Sequence, residues 1–353
     1  MVPFTFEKIT GAARKPDKVP AVTSTLRFVV LKGVQGFGDR LQCLLQALRY
    51  ARATDRYLVV DWRDPDWTHD STVPLTHFFS LKGVNTFSFE DFLTLQAHRG
   101  VSAEVYPPAW THKLAAPNYR DWIYKPLFAA EGGNETFDAI ATYQRPDFDA
   151  PVVVYGGVGK RAFAYSDGNC LVPSRWVQEE IRAAFFNENL VPGHYDVVHL
   201  RGGSKGWHGG TVPLESLRTK IDAAFPSQAA YFDALTQRYN ADEGPAADTV
   251  VLTDSRALGQ AWIDHVGGGR LLLDTANSAF AESGTHKMSA EALTALDPQL
   301  SKERLTVEVL RDFTIMLHAR RIVADGVSLF SKMAERSARA GVRFVPADLL
   351  PTS

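Results

Sequence analysis

A chain of 353 residues is longer than one hydrophobic core usually fills, so two domains are expected, each able to bury a sizeable core. A hydrophobic share of 45% and a charged share of 22% exclude extended disorder, and a formal charge of -2 supplies no global field for nucleic acid, so any anion must be held by a local cluster. Cys43 and Cys170 are too few for a disulfide framework and are not spaced as metal ligands, and no long apolar segment occurs, so the expectation is a cytoplasmic protein with no metal and no transmembrane segment.

After a polar lead-in, Leu26 to Leu31 runs β-branched and apolar residues together without alternation, the pattern of a strand buried on both faces. KGVQGFGDR follows and opens a helix whose Leu41, Leu44, Leu45, Leu48 and Ala51 share one face. A second strand, Tyr57 to Val60, runs into Asp61 and Trp62, which completes a βαβ unit with a parallel sheet. From Asp64 to about Ala150 the pattern is irregular, rich in aromatics and prolines, with one short helix at Phe89 to Ala97. Pro151 to Tyr155 is another apolar strand, and the amphipathic helix from Pro173 to Phe186 leads through NENLVPGHY, the candidate linker between a domain at 1–190 and one at 191–353.

The second half alternates cleanly: strand Tyr195 to Leu200, glycine-rich loop, helix Gln228 to Tyr239, strand Thr249 to Leu252, helix Ser255 to His265 and strand Arg270 to Leu273. A helix from Val307 to Leu317, a strand from Arg321 to Ala324 and a helix from Leu329 to Ala340 complete it. Such alternation marks doubly wound α/β sheets, and two Rossmann-like domains facing across a cleft would place the strand ends, and so the ligand, between them.

Four constellations sit where strands give way to helices. Gly36, Gly38, Asp39 and Arg40 form a tight turn in which glycines let backbone N–H groups approach an oxygen-rich ligand and Arg40 adds a fork; a plain turn capped by Asp39 is the alternative. The spacing completes neither a dinucleotide fingerprint nor a P-loop. His199 and Arg201 end a buried strand at the sheet's carboxyl edge, where an arginine suits a phosphate; a packed histidine and a structural ion pair are the alternative. Asp254 follows a third strand and either accepts from a ligand or caps the next helix. Ser328, Phe330 and Ser331 open the last helix, where hydroxyls and free N–H groups suit a diphosphate; a serine N-cap without any ligand is the alternative. Asp64-Pro-Asp66 and Asp147-Phe-Asp149 have the DxD spacing of a metal pair without the preceding strand, and His286 with Lys287 lies in a loop suited to an acceptor.

In this order the four motifs resemble the fucosyltransferase superfamily that groups bacterial Nod-factor α-1,6-fucosyltransferases with animal protein O-fucosyltransferases. The likeness covers Leu26 to Trp62 and Tyr195 to Ala340. It implies a GT-B fold and an inverting, metal-independent glycosyltransferase that needs no cofactor, with GDP-fucose or another nucleotide sugar as donor. A glycan or glycolipid would be the acceptor, and the protein would act in polysaccharide biosynthesis without nucleic acid, alone or in peripheral association with a membrane. By resemblance, Arg201 of the HLR motif binds the β-phosphate, Ser328, Phe330 and Ser331 take a diphosphate and nucleoside role, and Asp254 contacts guanine. Two positions depart from the pattern: Asp39 stands where asparagine is usual, and Gly202 where bacterial members often carry a second arginine. Asp39, His199 and Asp61 are the candidate bases, although a carboxylate at a helix N-terminus is expected to have a lowered pKa. A GT-B transferase or epimerase using a UDP- or CMP-sugar, and a noncatalytic binding protein of the same fold, are the competing readings.

Overall fold

The computed structural model describes residues 26–33, 36–63, 68, 73, 77–98, 104–115, 148–156, 163–201, 227–241, 244, 246–272 and 290–352. In chain order the first part comprises β1 (Phe28–Lys32), α1 (Phe37–Ala53), β2 (Tyr57–Asp61), β3 (Phe79–Leu81), α2 (Phe89–His98), β4 (Val105–Tyr106), β5 (Val152–Gly156), β6 (Leu171–Pro173) and α3 (Arg175–Asn187). The second comprises β7 (Tyr195–Leu200), α4 (Gln228–Tyr239), β8 (Asp248–Thr253), α5 (Arg256–Val266), β9 (Arg270–Leu271), α6 (Ala290–Leu296), α7 (Lys302–His318), β10 (Arg321–Ala324) and α8 (Leu329–Arg339).

Two parallel sheets organise these elements. The first has the order β2-β1-β5-β4 and the second β10-β7-β8-β9, while β3 and β6 form a separate antiparallel pair. The central strands are the ones the sequence marks as continuous apolar runs: every residue of β1 and of β7 is buried, as required of parallel strands covered on both faces. In the first sheet Lys32 is in register with Asp61, and in the second His199 lies between Ala324 and Leu252, so the carboxyl ends of each sheet finish at one level.

The helical elements depart from the sequence reading at α6, which was not expected, and at the start of α7. Helix α7 begins at Lys302, ahead of the expected Val307, because Ser301 caps it by accepting from the Arg304 N–H at 3.1 Å. Helix α3 packs on the core through Val177, Ile181 and Phe185, and the segment after it is anchored by the buried Leu190 and by the Gly193 N–H, which donates to the His318 carbonyl at 2.8 Å.

One hydrophobic cluster runs through both halves of the chain. It joins Val29 and Leu31 of β1 and Leu44 and Leu48 of α1 to Val197 of β7, Phe313 of α7 and Met333 of α8. Helix α8 follows a strand of the second sheet yet packs against α1 of the first part, and the tail beyond it places Phe344 at 5.6 Å from Phe79. The first turns of α1 and α8 are thereby brought together beside the second sheet.

Candidate functional site

The carboxyl edge of the second sheet gathers three of the four constellations. Arg201 follows β7 and Asp254 follows β8, and the Arg201 Nη1 lies 2.9 Å from Asp254 Oδ2, with 30% of the arginine side chain and 11% of the aspartate exposed. Asp254 therefore does not cap α5. That cap is Ser255, whose hydroxyl accepts from the Leu258 N–H at 3.3 Å. Arg201 keeps part of its guanidinium open while one edge is held by a carboxylate, an arrangement suited to receiving an anion.

Beyond β10 the chain makes a tight turn. Gly326 has φ of 72°, in the left-handed region that favours glycine, and Asp325 Oδ1 accepts from the N–H groups of Val327 at 2.7 Å and Ser328 at 2.9 Å. Ser328 is the N-cap residue of α8 without a side-chain cap hydrogen bond. Ser331 is turned inward, its hydroxyl donating to the Ser328 carbonyl at 3.3 Å with 1% of the residue exposed. Phe330 lies 5.5 Å from the His199 ring and 5.4 Å from Phe313, so it roofs the strand end where His199 sits.

The first constellation meets this edge from the other side. Gly36 is the N-cap of α1 with φ of -71° and ψ of 168°, and its carbonyl accepts from the N–H groups of Asp39 and Arg40, each at 3.1 Å. Gly38 has a packing reason of its own: a β-carbon there would lie 2.8 Å from the Phe330 amide nitrogen. Arg40 is fully buried and its guanidinium stands 5.8 Å from the Trp62 ring centroid, so the structure places the expected anion fork in the interior beneath β1.

The protonation states set out the chemistry. Burial lifts the Asp39 carboxyl from the ordinary 3.8 to about 6, with the charges of Arg40 and Arg201 acting in the opposite direction. The expectation of a lowered value is thus corrected, because desolvation outweighs the helix N-terminus and both arginines. The outcome is a carboxylate able to take a proton near neutral pH. Burial also holds the His199 imidazole below its usual range, with Asp325 and Asp254 opposing, so His199 is neutral at pH 7. Its Nδ1 is buried and has no hydrogen-bond partner among the described residues.

Asp61 is taken up by an ion pair. Together with Lys32 it is fully buried, their atoms 2.6 Å apart, and Arg63 Nε adds a contact at 3.0 Å, so its lone pairs are committed. Burial lowers Lys32 to about 8 against the opposing effect of Asp61. Trp110 is a core residue, 3% exposed, and Tyr106 stacks on Phe148 at 4.4 Å, while the aromatics at 119–124 lie outside the described residues. So do Asp64, Asp66, Asp147, His286, Lys287 and the loop that begins at Gly202. Among the described residues no group of three His, Cys, Asp or Glu side chains could hold a metal ion, and no helix is long and apolar enough to cross a membrane.

Sequence reasoning missed Tyr231 and gave Asp325 no role. Tyr231 is fully buried on α4, and its hydroxyl accepts from the Arg201 N–H at 3.0 Å and reaches Asp325 Oδ2 at 3.5 Å. The Asp-Gly pair at 325 and 326 was a readable turn signal, whereas a tyrosine on an amphipathic helix carries none.

No family model matches the chain. Over 149 residues it is 31% identical to nodulation protein Z of Bradyrhizobium diazoefficiens, a match that covers 41% of this chain and 38% of that protein. A crystal structure of NodZ α-1,6-fucosyltransferase soaked with GDP-fucose superposes with a TM-score of 0.60 at 17% identity, covering 88% of this chain and 91% of that one. The selenomethionine structure of fucosyltransferase NodZ from Bradyrhizobium gives 0.57 at 17% identity over 88% of this chain and 91% of that one. The chain is thus similar over part of its length to one protein of the superfamily its motifs resemble, and its fold is the α/β GT-B arrangement of Rossmann-like units.

Proposed function

We propose that this chain, similar in sequence and fold to a fucosyltransferase, is a glycosyltransferase that takes a nucleoside-diphosphate sugar, GDP-fucose in the reading its motifs favour, and passes the sugar to a glycan or glycolipid hydroxyl with inversion and without a metal. The chain's match to nodulation protein Z spans 38% of that protein's length. In the same reading residues 1–190 form the acceptor side and 191–353 the donor side, and the two free buried cysteines, Cys43 and Cys170, support a reducing compartment such as the cytoplasm.

The observation that carries the proposal is the meeting of a part-exposed arginine, held by Asp254, with the first turns of two helices. Arg201 would bind the β-phosphate of the donor, and the α8 turn at Ser328 would face the same group. Gly36, where a β-carbon would meet only Asp39 Oδ2, at 3.9 Å, among the described residues, leaves room for the sugar-phosphate linkage. His199 would offer its buried, unpaired Nδ1 to the nucleoside, beside Phe330.

The chemistry follows from these placements. The acceptor hydroxyl oxygen forms a bond to the anomeric carbon as the bond from that carbon to the phosphate oxygen breaks. The hydroxyl proton passes to Asp39, whose pKa of about 6 suits a base at neutral pH, and the electron pair leaves with the diphosphate, whose charge Arg201 stabilises.

Thermal shift with GDP, UDP, CMP and ADP in the presence of EDTA tests the proposal, since a ligand at a hundred times its Kd raises the stability of the folded state by about 2.7 kcal/mol. GDP is expected to stabilise the wild type strongly and Arg201→Ala much less. A larger shift with UDP or CMP reassigns the donor, and no shift with any nucleotide overturns the reading.

A further inference from the structure

The segments that leave β7 and β10 are joined by a chain of hydrogen bonds through Tyr231 of α4, the helix whose Arg238 also donates to the Ala324 carbonyl. The Arg201 N–H, just past the end of β7, donates to the Tyr231 hydroxyl at 3.0 Å rather than to a neighbouring strand. The hydroxyl in turn faces Asp325 Oδ2 at 3.5 Å. The other oxygen of that carboxylate holds the N–H groups of Val327 and Ser328 and so shapes the turn into α8. Tyr231 is itself rigid: it is fully buried in the cluster that contains Val198, Leu200 and Leu235, and its helix is capped by Ser227, which accepts from the Ala230 N–H at 3.1 Å.

We infer that Tyr231 and Asp325 are positioning residues that set the Arg201 backbone and the α8 turn at the spacing a diphosphate requires; this rests on the donor-site reading above. The physical reason is that neither segment is held at that point by its sheet. Leu200 is the last residue of β7 in register with β8, and Ala324 the last of β10 in register with β7. Beyond those residues the strand pairing ends, and Tyr231 and Asp325 link the two segments, while Arg238 holds the Ala324 carbonyl and Asp254 the Arg201 side chain. A buried carboxylate that accepts from two backbone N–H groups has a fixed orientation, so a displacement of the α8 turn is transmitted through Tyr231 to Arg201. Groups that bind an anion from two sides lose affinity steeply when their separation changes by a fraction of an ångström to an ångström.

Such a role predicts a penalty specific to the β-phosphate. Calorimetric titration with GDP and with GMP separates it from a general loss of folding. The wild type is expected to bind GDP more tightly than GMP. Tyr231→Phe should lose about tenfold in GDP affinity, the scale of one buried hydrogen bond, with GMP affinity nearly unchanged. Asp325→Ala should lose at least as much, whereas Asp325→Asn, whose amide oxygen still accepts from Val327 and Ser328, should retain most of the preference for GDP. If Tyr231→Phe does not fold, the comparison of Asp325→Ala with Asp325→Asn carries the same test. Unchanged GDP affinity in Tyr231→Phe and Asp325→Ala, or an equal fall for GDP and GMP, overturns the inference alone. A wild type that does not favour GDP over GMP overturns the donor-site reading, and the inference with it.

Discussion

Gly38 and Phe330 meet backbone to backbone: a β-carbon on Gly38 would stand 2.8 Å from the Phe330 amide nitrogen and 2.9 Å from the Leu329 carbonyl oxygen. The contact holds the first turn of α1 against the first turn of α8, elements nearly three hundred positions apart in the chain. Gly38→Ala must separate them, and the expected cost is about 1–3 kcal/mol of overpacking. Gly36→Ala, which among the described residues meets only Asp39 Oδ2, at 3.9 Å, should leave stability near that of the wild type. Chemical denaturation of the two variants checks the contrast, and equal midpoints would remove the packing account of Gly38.

The Arg201 and Asp254 pair makes a graded prediction. Arg201→Ala should weaken GDP binding by about ten- to a hundredfold, the range of a charge-assisted hydrogen bond to phosphate. Arg201→Lys should recover only part of this, since an ammonium cannot bridge Asp254 and a phosphate in the plane of a guanidinium. Asp254→Ala should fall between wild type and Arg201→Ala if its carboxylate acts by holding the arginine. Isothermal titration gives the order, and a fall in Asp254→Ala larger than that in Arg201→Ala would instead place Asp254 in direct contact with the nucleotide.

Asp39 links stability and catalysis through pH. Its folded-state pKa lies above the ordinary value, so between 3.8 and about 6 the folded protein binds more protons than the unfolded chain. Stability therefore falls as pH rises through that window and is flat above it. Asp39→Asn should remove this slope and raise stability at pH 7 by up to ~3 kcal/mol. As the base, Asp39 should give kcat/KM an acid limb centred near pH 6, and Asp39→Asn should lower kcat by about a hundredfold or more while losing that limb. A more stable variant of unchanged activity would separate the two roles and leave the base unassigned.

Lys32 and Asp61 form a fully buried ion pair at the carboxyl ends of β1 and β2. Lys32→Met leaves the aspartate without its nearest cation and should cost about 3–5 kcal/mol, nearer the lower figure because Arg63 still reaches it at 3.0 Å. Lys32→Met combined with Asp61→Leu should recover much of the loss, since it removes the stranded charge. Thermal unfolding of the single and double variants measures the difference; a double variant no better than the single would show that the pair has a role beyond charge neutralisation.

Much of this protein was legible as sequence because its signals are local. The apolar runs of β1 and β7 betray strands covered on both faces, the spacing of Leu41, Leu44 and Leu48 betrays a helix, and a charged residue straight after a buried strand, such as Arg201 or Asp254, has nowhere to lie but at the sheet's carboxyl edge. What the sequence could not decide was the environment each side chain meets, which is set by elements remote in the chain. The start of α1 offers one glycine turn with two charged neighbours, but only the packing of α8 makes Gly38 obligatory, and only burial turns Asp39 into a carboxyl with a pKa of about 6. Arg40, next to it, is carried into the interior beside Trp62 by the direction its place on the helix imposes. Tyr231 reaches Arg201 because α4 packs on the second sheet, a placement that no spacing in the chain encodes. Periodicity and strand ends are properties of neighbouring residues and survive in the sequence. Desolvation, close backbone approach and hydrogen bonds between distant elements exist only once the chain is folded.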